Sequence, residues 1–283
     1  MTRTSRRNLR PLHGILLLDK PLGLSSSQAL QKARFLFQAE KAGHTGSLDP
    51  LASGMLPLCF GEATKMSAYL LDSNKRYITT ATLGQTSSTG DKEGELSAPV
   101  SVPTWSLEQL ESFLAPFRGE IQQVPPMYSA LKKDGKKLYE LARQGIEVER
   151  ASRSVTIDNL SITAYTGAEL SLDVSCSKGT YIRTLVEDIG AALGCGAYVS
   201  ALHRVSVSPF EGQMSYSLPL LQATWEQGGL DALDQLLLPL DCALPHLAKL
   251  ILSESELVRV RLGQKIVCQH EDAELVRLYD AKQ

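Results

Sequence analysis

Four stretches of the chain have the apolar and polar pattern of β-strands. A short continuous apolar run fits a strand that is buried on both faces, and a regular alternation fits a strand that is buried on one face. The four stretches are ILLL at 15–18, KRYITTATL at 75–83, ELSLDVSC at 169–176 and ALHRVSVSPF at 201–210. We therefore expect strands from segments that lie far apart along the chain.

Three further stretches have the spacing of amphipathic helices. A serine within 25–27 can cap a helix that runs to about Gln38. Ser106, with Gln109 three residues later, has the pattern of a capping box at the start of the second helix. Gly194 ends the third helix. The predicted apolar faces consist of Ala29, Leu30, Ala33, Leu36 and Phe37, then Leu107, Leu110, Phe113, Leu114 and Phe117, and finally Ile182, Leu185, Ile189 and Leu193.

Composition and charge place the chain among soluble globular proteins. Its 283 residues are enough for one large domain and a small one, and 43% of them are hydrophobic. Lys and Arg total 29 against 31 Asp and Glu, so any site for nucleic acid has to be a local basic patch. The five cysteines show no C-x-x-C pair and no zinc spacing, which predicts thiols in a reducing cytoplasm and no structural zinc. No apolar run approaches the roughly 20 residues of a membrane span.

Residues 43–65 differ in texture because they are rich in Gly, Ser and Thr around one acid, Asp49. Pro50 follows Asp49 directly and biases its backbone away from the helical region. Gly46 and Gly54 permit tight backbone paths and the close approach of a ligand. The pattern fits a functional carboxylate on a constrained loop, and it fits equally an aspartate that caps a turn.

Two segments are basic. Residues 132–153 hold seven bases and four acids, a local charge of +3, and residues 1–10 hold four arginines and no acid. Each segment could contact RNA phosphates, although such runs are also typical of a solvated face or a frayed tail. The basic residues are Lys132, Lys133, Lys136, Lys137, Arg143, Arg150 and Arg153 in the first segment, and Arg3, Arg6, Arg7 and Arg10 in the tail.

The segment HTGSLDPLASGMLPLCFGEATK resembles the catalytic segment of pseudouridine synthases of the tRNA pseudouridine synthase B type. Further matches to this family lie far away along the chain. They are G-x-L-x-x-D-K-P-x-G-x-S at 14–25, the tyrosine of KRYITTATL, T-x-x-x-G-D-x-x-G at 86–94 (the flexible loop beside the family's cleft), P-P-x-Y-S-A-x-K-x-x-G-x-x-x-Y-x-x-A-R-x-G at 125–145, K-G-T-Y-I-R-T-L at 178–185 and L-x-R at 202–204.

The resemblance implies a role for each matched residue. Asp49 would be the catalytic carboxylate, Arg183 its ion-pair partner that keeps it charged, and Tyr77 the ring that stacks on the target base. His44 would fill the gap that the extruded base leaves, or hold the RNA loop, rather than act as a general base. The implied active-site support further includes Tyr181, Leu202 and Lys20. The implied RNA contacts are His44, Thr45, Gly46, Lys65, Lys132, Lys133, Lys136, Lys137, Arg143 and Arg153.

The same resemblance implies an α+β fold of the pseudouridine synthase type. We expect one large mixed, mostly antiparallel sheet with helices on its faces, a cleft across its middle and a small C-terminal unit. Residues 1–248 would form the catalytic domain, with an RNA-gripping insertion at about 119–154. Residues 249–283 resemble the start of a PUA domain, a small β-barrel that grips RNA, and stop short of a complete one.

The implied function is isomerisation of a uridine in the T loop of tRNA by a tRNA pseudouridine-55 synthase, acting as a monomer in the cytoplasm. The reaction needs no metal and no cofactor, and the sequence has no G-x-G-x-x-G, Walker or metal-ligand motif. One rival is a non-catalytic RNA-binding protein or tRNA-folding chaperone on the same scaffold. A second rival is a hydrolase with an aspartate nucleophile, which would need a second carboxylate close to Asp49 in space.

Overall fold

The computed structural model describes residues 9–267 and 273–281, and its elements are a mixture of strands and helices. Three 3₁₀ turns lie at Gly61–Met66, Ala115–Phe117 and Leu240–Ala243. The strands are β1 Gly14–Lys20, β2 Ala42–His44, β3 Ala52–Phe60, β4 Lys75–Leu83, β5 Gly119–Gln123, β6 Lys132–Lys133, β7 Lys136–Lys137, β8 Arg153–Tyr165, β9 Glu169–Cys176, β10 Ala197–Val207, β11 Tyr216–Ser217, β12 Lys249–Leu252 and β13 Arg277–Asp280. The helices are α1 Ser26–Leu36, α2 Ser67–Leu71, α3 Leu107–Leu114, α4 Leu138–Ala142, α5 Ile182–Ala192, α6 Leu218–Asp234 and α7 Glu254–Arg261.

One nine-stranded sheet forms the centre of the described structure. Eight of its strands follow the order β11-β1-β3-β10-β4-β9-β8-β5, and the ninth, β2, pairs with the C-terminal end of β3. The β1–β11 and β3–β10 pairs are parallel and the remaining pairs are antiparallel. The mixed, mostly antiparallel sheet and the α+β class expected from the resemblance are therefore confirmed.

The sheet separates two hydrophobic clusters, and β1 supplies both. Leu16 and Leu18 pack into the larger cluster with α1, α5 and α6, while Ile15 and Leu17 pack into the smaller one around Phe210. Each of these β1 leucines and isoleucines is at most 2% exposed. A strand that is buried on both faces needs no polar alternation, which explains the continuous apolar run in this part of the sequence.

The predicted helix starts are confirmed in detail. Ser25 caps α1 and Ser106 caps α3, and each forms a capping box with the glutamine three residues later. The predicted apolar face of α3 is wrong at Leu107, the first residue of the helix, which is 60% exposed and takes no part in the hydrophobic clusters. Strand β10 begins four residues before the predicted start, because Ala197–Val199 are buried on both faces and a register shift follows Val199.

The C-terminal region after residue 248 contributes a small parallel pair, β12 and β13, with α7 between them. The Tyr279 phenol donates a hydrogen bond to the Asp241 carboxylate, which ties this pair to the preceding 3₁₀ turn. The domain boundary and the PUA-like character of the unit stay predictions. Within the described residues, no helix combines the length and apolar character that a membrane span requires.

Part of the arginine-rich tail and one of the cysteines lie outside the residues that the structure describes. Arg3, Arg6 and Arg7 lie outside the described residues, whereas Arg10 forms an ion pair with Asp234 and so belongs to the folded body. Cys268 also lies outside them, and the other four cysteines are free thiols.

Gly54 shows how the sheet limits the sequence beside the Asp49 loop. Its φ is +102°, and a Cβ at this position would lie 2.2 Å from the Arg204 carbonyl oxygen of β10. Strands β3 and β10 could not pair at this point with any larger residue.

We expect Gly54→Ala to destabilise the protein by about 1–3 kcal/mol more than Gly167→Ala, as measured by urea unfolding. Gly167 is a matched control because its φ is +90° while nothing lies within 4 Å of the position that a Cβ would take there. Equal losses in the two variants would show that backbone strain alone, and not the contact with β10, requires glycine at position 54.

Candidate active site

Asp49 lies on the loop between β2 and β3, and the turn before α1 supports that loop. The Gly23 amide donates to the Pro50 carbonyl (2.8 Å). The Ser26 hydroxyl accepts from the Leu48 amide (2.7 Å) and donates to the Leu48 carbonyl (3.0 Å). The opening D-K-P-x-G-x-S motif therefore does more than turn the chain: its Gly23 holds the backbone after Asp49, and Ser26, directly after the motif, holds the backbone before it.

Arg183 is the counter-charge of Asp49, as the resemblance implied. Its Nε lies 2.9 Å from Asp49 Oδ2. The arginine side chain is 3% exposed, whereas the Asp49 side chain keeps 40% of its surface accessible. The ion pair thus holds the carboxylate from the protein side and leaves it open on the other side.

The remaining nitrogens of Arg183 bind two loops. Nη1 donates to the Thr89 carbonyl and Nη2 to the Tyr128 carbonyl, both at 2.7 Å. Thr89 belongs to the polar loop after β4, and Tyr128 belongs to the predicted RNA-gripping insertion. One buried guanidinium therefore joins three segments that are distant in sequence.

Asp91 is a further charged member of the site that the sequence reasoning missed. Its carboxylate lies 3.7 Å from Arg183 Nε, and the residue is 4% exposed. Asp91 Oδ1 accepts hydrogen bonds from the Thr89 hydroxyl (2.7 Å) and the Glu93 amide (3.0 Å). The available signal was the aspartate of the T-x-x-x-G-D-x-x-G match at 86–94, to which the sequence reasoning assigned no role.

Asp91 bears on the hydrolase rival, which would need a second carboxylate close to Asp49 in space. A second carboxylate does stand on the same guanidinium as Asp49. Its oxygen atoms are engaged by Thr89, Glu93 and Arg183, and the side chain is buried, so it is not presented to a substrate as an acid would be. The arrangement differs from the two open carboxylates of a glycosidase.

Arg183 favours the ionised form of Asp49, as expected, but it does not set the net direction of the pKa shift. Burial raises the pKa of the Asp49 carboxyl above its usual value, and the negative charge of Asp91 raises it further. Arg183 opposes this shift by its charge and its hydrogen bond, and Lys20 opposes it by its charge. Arg183 therefore offsets only part of the effect of burial.

Lys20 supports the turn from inside. It is fully buried, and its Nζ donates to the Pro21 and Leu24 carbonyls at 2.9 and 2.7 Å. Burial lowers the pKa of Lys20 to about 8, partly opposed by the nearby Asp49. Its role in support of the active site stays a prediction.

Tyr77 and Leu202 lie on neighbouring strands, β4 and β10. Tyr77 pairs with Arg204, so Leu202 is its diagonal neighbour on the same face of the sheet. Each is 8% exposed and both belong to the larger hydrophobic cluster. Burial raises the pKa of the Tyr77 phenol. A stacking role on a base stays a prediction, because in this state both side chains are also ordinary core residues.

The H-T-G residues are placed differently from one another. Thr45 has no exposed surface and its amide donates to the Pro57 carbonyl (3.1 Å), so it supports the loop and does not reach RNA. The Gly46 carbonyl accepts from Arg204, a buried arginine that also donates to the Met55 carbonyl. Burial, with a smaller effect of Arg204, lowers the pKa of His44 and favours the neutral imidazole.

The insertion displays its lysines on a small hairpin. Lys132 pairs with Lys137 and Lys133 with Lys136, around the turn Asp134–Gly135, where φ is +52° and +81°. The side chains of Lys132, Lys133 and Lys136 are exposed. Lys137 and Arg143 each lie 5.5 Å from the ring of Tyr139.

Three of the basic residues predicted to contact RNA already have a hydrogen-bond or ion-pair partner in the protein. The Lys133 ammonium donates to the Glu149 carbonyl (3.0 Å). Lys65 forms an ion pair with Glu62 on the surface. Arg153 donates to the Gly179 carbonyl and lies 4.9 Å from the centre of the Tyr181 ring. Among the described residues, no group of His, Cys, Asp and Glu could hold a metal ion.

Comparisons with known proteins give consistent results. Residues 34–182 match the model of the TruB family pseudouridylate synthase (N terminal domain), and residues 183–245 match the tRNA pseudouridylate synthase B C-terminal domain. The chain is 55% identical over 275 residues to a tRNA pseudouridine synthase B from Marinomonas sp. (strain MWYL1), covering 96% of this chain and 88% of that protein. It is 57% identical over 249 residues to a tRNA pseudouridine synthase B from Pseudomonas aeruginosa (strain UCBPP-PA14), covering 88% and 82%.

Solved structures show the same fold. A Cbf5-Nop10-Gar1 complex contains a chain with 28% identity and a TM-score of 0.69, covering 89% of this chain and 67% of that one. An H/ACA RNP bound to a substrate RNA containing 2'-deoxyuridine contains a chain with 24% identity and a TM-score of 0.70, covering 95% and 75%.

We expect Asp91→Asn to lower the pKa of the Asp49 carboxyl, because it removes a negative charge that disfavours the ionised form. Carbon-13 NMR titration of the aspartate side-chain carboxyls would measure this pKa. In the wild type it lies above that of an ordinary aspartate. Asp158→Asn, at an exposed position on β8, is the control and leaves it unchanged. An upward shift in Asp91→Asn would contradict the electrostatic account.

Proposed function

The chain belongs to the TruB family of pseudouridylate synthases and is a tRNA pseudouridine synthase, and we propose that its target is the uridine at position 55, in the T loop of tRNA. The observation that supports the proposal most strongly is the Asp49–Arg183 ion pair. It presents one carboxylate on a fixed loop, with its counter-charge buried behind it and 40% of its own side chain accessible.

The reaction needs an ionised carboxylate at this position. Pseudouridine formation breaks the C–N bond between uracil and ribose, turns the base and rejoins it through C5, so no atom and no electron is gained or lost. Attack of Asp49 on the base, attack on the sugar and removal of a sugar proton all require the charged form. Arg183 and Lys20 favour that form against the effect of burial.

A uridine inside folded RNA has to leave its stack before Asp49 can reach it. We propose that Tyr77 and Leu202 hold the extruded base, since they lie side by side on β4 and β10 near Asp49. Their apolar surroundings would keep water from the opened intermediate. His44, neutral and half-buried at the end of β2, would fill the gap in the RNA.

The insertion would position the RNA. Its exposed Lys132, Lys133 and Lys136 can reach phosphates, and the paired cations on Tyr139 add to the same basic surface. Phosphate contacts fix the register of the RNA and do not touch the reacting base. We also propose that the enzyme acts as a monomer, because one chain supplies every named contact of Asp49. A location in the cytoplasm agrees with the free thiols of the four described cysteines.

Asp49→Asn tests the function directly. An amide has nearly the same shape as the carboxylate but is a poor nucleophile and a poor base, so we expect no conversion of uridine and RNA affinity within about tenfold of wild type. Carbodiimide labelling of a T-arm RNA measures conversion, and filter binding measures affinity. Binding without conversion in the wild type would favour the chaperone rival, and near-normal conversion by Asp49→Asn would rule out the catalytic assignment.

The double variant Lys136→Ala, Lys137→Ala tests the insertion. If both lysines meet phosphates, the slope of log affinity against log salt should fall by roughly two units, since each lost contact lowers it by about one. Turnover at saturating RNA should change little. Lys32→Ala, at an exposed position of α1 outside the insertion and the C-terminal unit, is the control and should leave the slope unchanged. An unchanged slope in the test variant would identify the lysine hairpin as a solvated surface.

A further inference from the structure

Tyr181 is held by a buried glutamine through its backbone. The Gln123 side chain accepts a hydrogen bond from the Tyr181 amide (2.8 Å) and donates one to the Tyr181 carbonyl (3.0 Å). Gln123 is 1% exposed, so water does not compete for either hydrogen bond. Tyr181 is the residue that precedes α5, and Arg183 follows within the first turn of that helix. The two bonds therefore fix the start of α5 just before the guanidinium that holds Asp49.

The Tyr181 side chain is held by a second residue, Arg153. Its guanidinium lies over the tyrosine ring, 4.9 Å from the ring centre, and donates to the Gly179 carbonyl. A Cβ on Gly179 would lie 3.3 Å from Arg153 Cζ, so the glycine allows the guanidinium to lie close against this backbone. Arg153 is thus packed across the segment before α5.

Gln123 and Arg153 are also the two ends of the insertion. They are directly paired, as the last residue of β5 and the first residue of β8. The segment between them, 124–152, carries the lysine hairpin and the Tyr128 carbonyl that accepts from Arg183. The two residues that close the RNA-gripping segment at its base are therefore the two residues that hold Tyr181.

We propose that Gln123 and Arg153 are positioning residues that align Tyr181, and with it the start of α5, for the reaction at Asp49. This inference rests on the proposed function. It assigns Arg153 to the tyrosine ring instead of to an RNA phosphate. Gln123 and Arg153 pair with each other at the base of the RNA-gripping segment, and both contact Tyr181. A movement of that segment would therefore also move Tyr181.

The first test separates rate from affinity. Gln123→Ala and Arg153→Ala should lower the single-turnover rate at saturating RNA by roughly ten- to a hundredfold, because even a small displacement of Tyr181 and the start of α5 slows the reaction. Their RNA dissociation constants should stay within about twofold of wild type, and Arg153→Ala should keep the wild-type salt slope. A lower salt slope with a normal saturated rate would overturn the assignment of Arg153 and make it a phosphate contact.

The matched controls come from the same segment. Gln122→Ala changes the neighbouring glutamine, which is exposed on the other face of β5, and should leave the rate unchanged. Arg143→Ala changes an exposed arginine of the insertion and should weaken binding without lowering the saturated rate. Equal losses of rate in Gln122→Ala and Gln123→Ala would overturn the proposal.

A double-mutant cycle shows whether Arg153 acts through the Tyr181 ring. In a Tyr181→Ala background the ring is gone, so adding Arg153→Ala should cost less than threefold, far below its effect in the wild type. Fully additive losses would indicate a structural role only and would overturn the proposal. If Gln123→Ala does not fold, Gln123→Glu replaces it, because it keeps the acceptor for the Tyr181 amide and loses the donor to the carbonyl.

The wild type provides the reference for both claims. If it converts no uridine, the proposed function fails, and the positioning of Tyr181 for that reaction fails with it. If it converts uridine normally and the Gln123 and Arg153 variants match it, the function stands and this inference alone is wrong.

Discussion

A guanidinium with almost no contact with solvent has to find a partner for each nitrogen, because an unpaired buried donor is costly. Arg183 meets this constraint with Asp49 on Nε, the Thr89 carbonyl on Nη1 and the Tyr128 carbonyl on Nη2. None of the three partners comes from a strand of the sheet or from α5 itself. The same arginine that carries the counter-charge therefore also fixes the loop after β4 and the insertion against the Asp49 loop.

Arg183 therefore both holds the loops of the site together and influences the ionisation of Asp49. The loop after β4 is further attached to β10 by two hydrogen bonds of Val199, with Gly90 and Lys92. Asp91 on that loop adds a negative charge that opposes the ionisation of Asp49. The site balances burial and Asp91 on one side against Arg183 and Lys20 on the other. A carboxylate whose pKa is raised but which stays paired combines basicity with a fixed orientation.

The sequence allowed some of these features to be predicted and hid others. Capping boxes at Ser25 and Ser106 and the alternation of β4 and β9 depend on residues close together in the chain, so they could be predicted. Strand β8 was missed because its burial pattern is irregular, with two register shifts against β9. Helix α6 was missed because non-helical Gly229 interrupts its periodicity.

The ion pair of Asp49 was expected from the family motif and from the awkward place of Arg183 in the first turn of α5, where the helix dipole disfavours a cation. The other two contacts of Arg183 could not be predicted. Every residue has a backbone carbonyl, so the sequence does not indicate that those of Thr89 and Tyr128 are the acceptors. The most direct test of the central claim is hydrogen–deuterium exchange of Arg183→Lys against wild type. Lysine can keep the charge pair with Asp49 but cannot reach both carbonyls. The account predicts faster exchange in residues 86–94 and 125–131, with β4 and β9 unchanged, and unchanged exchange in both segments would contradict it.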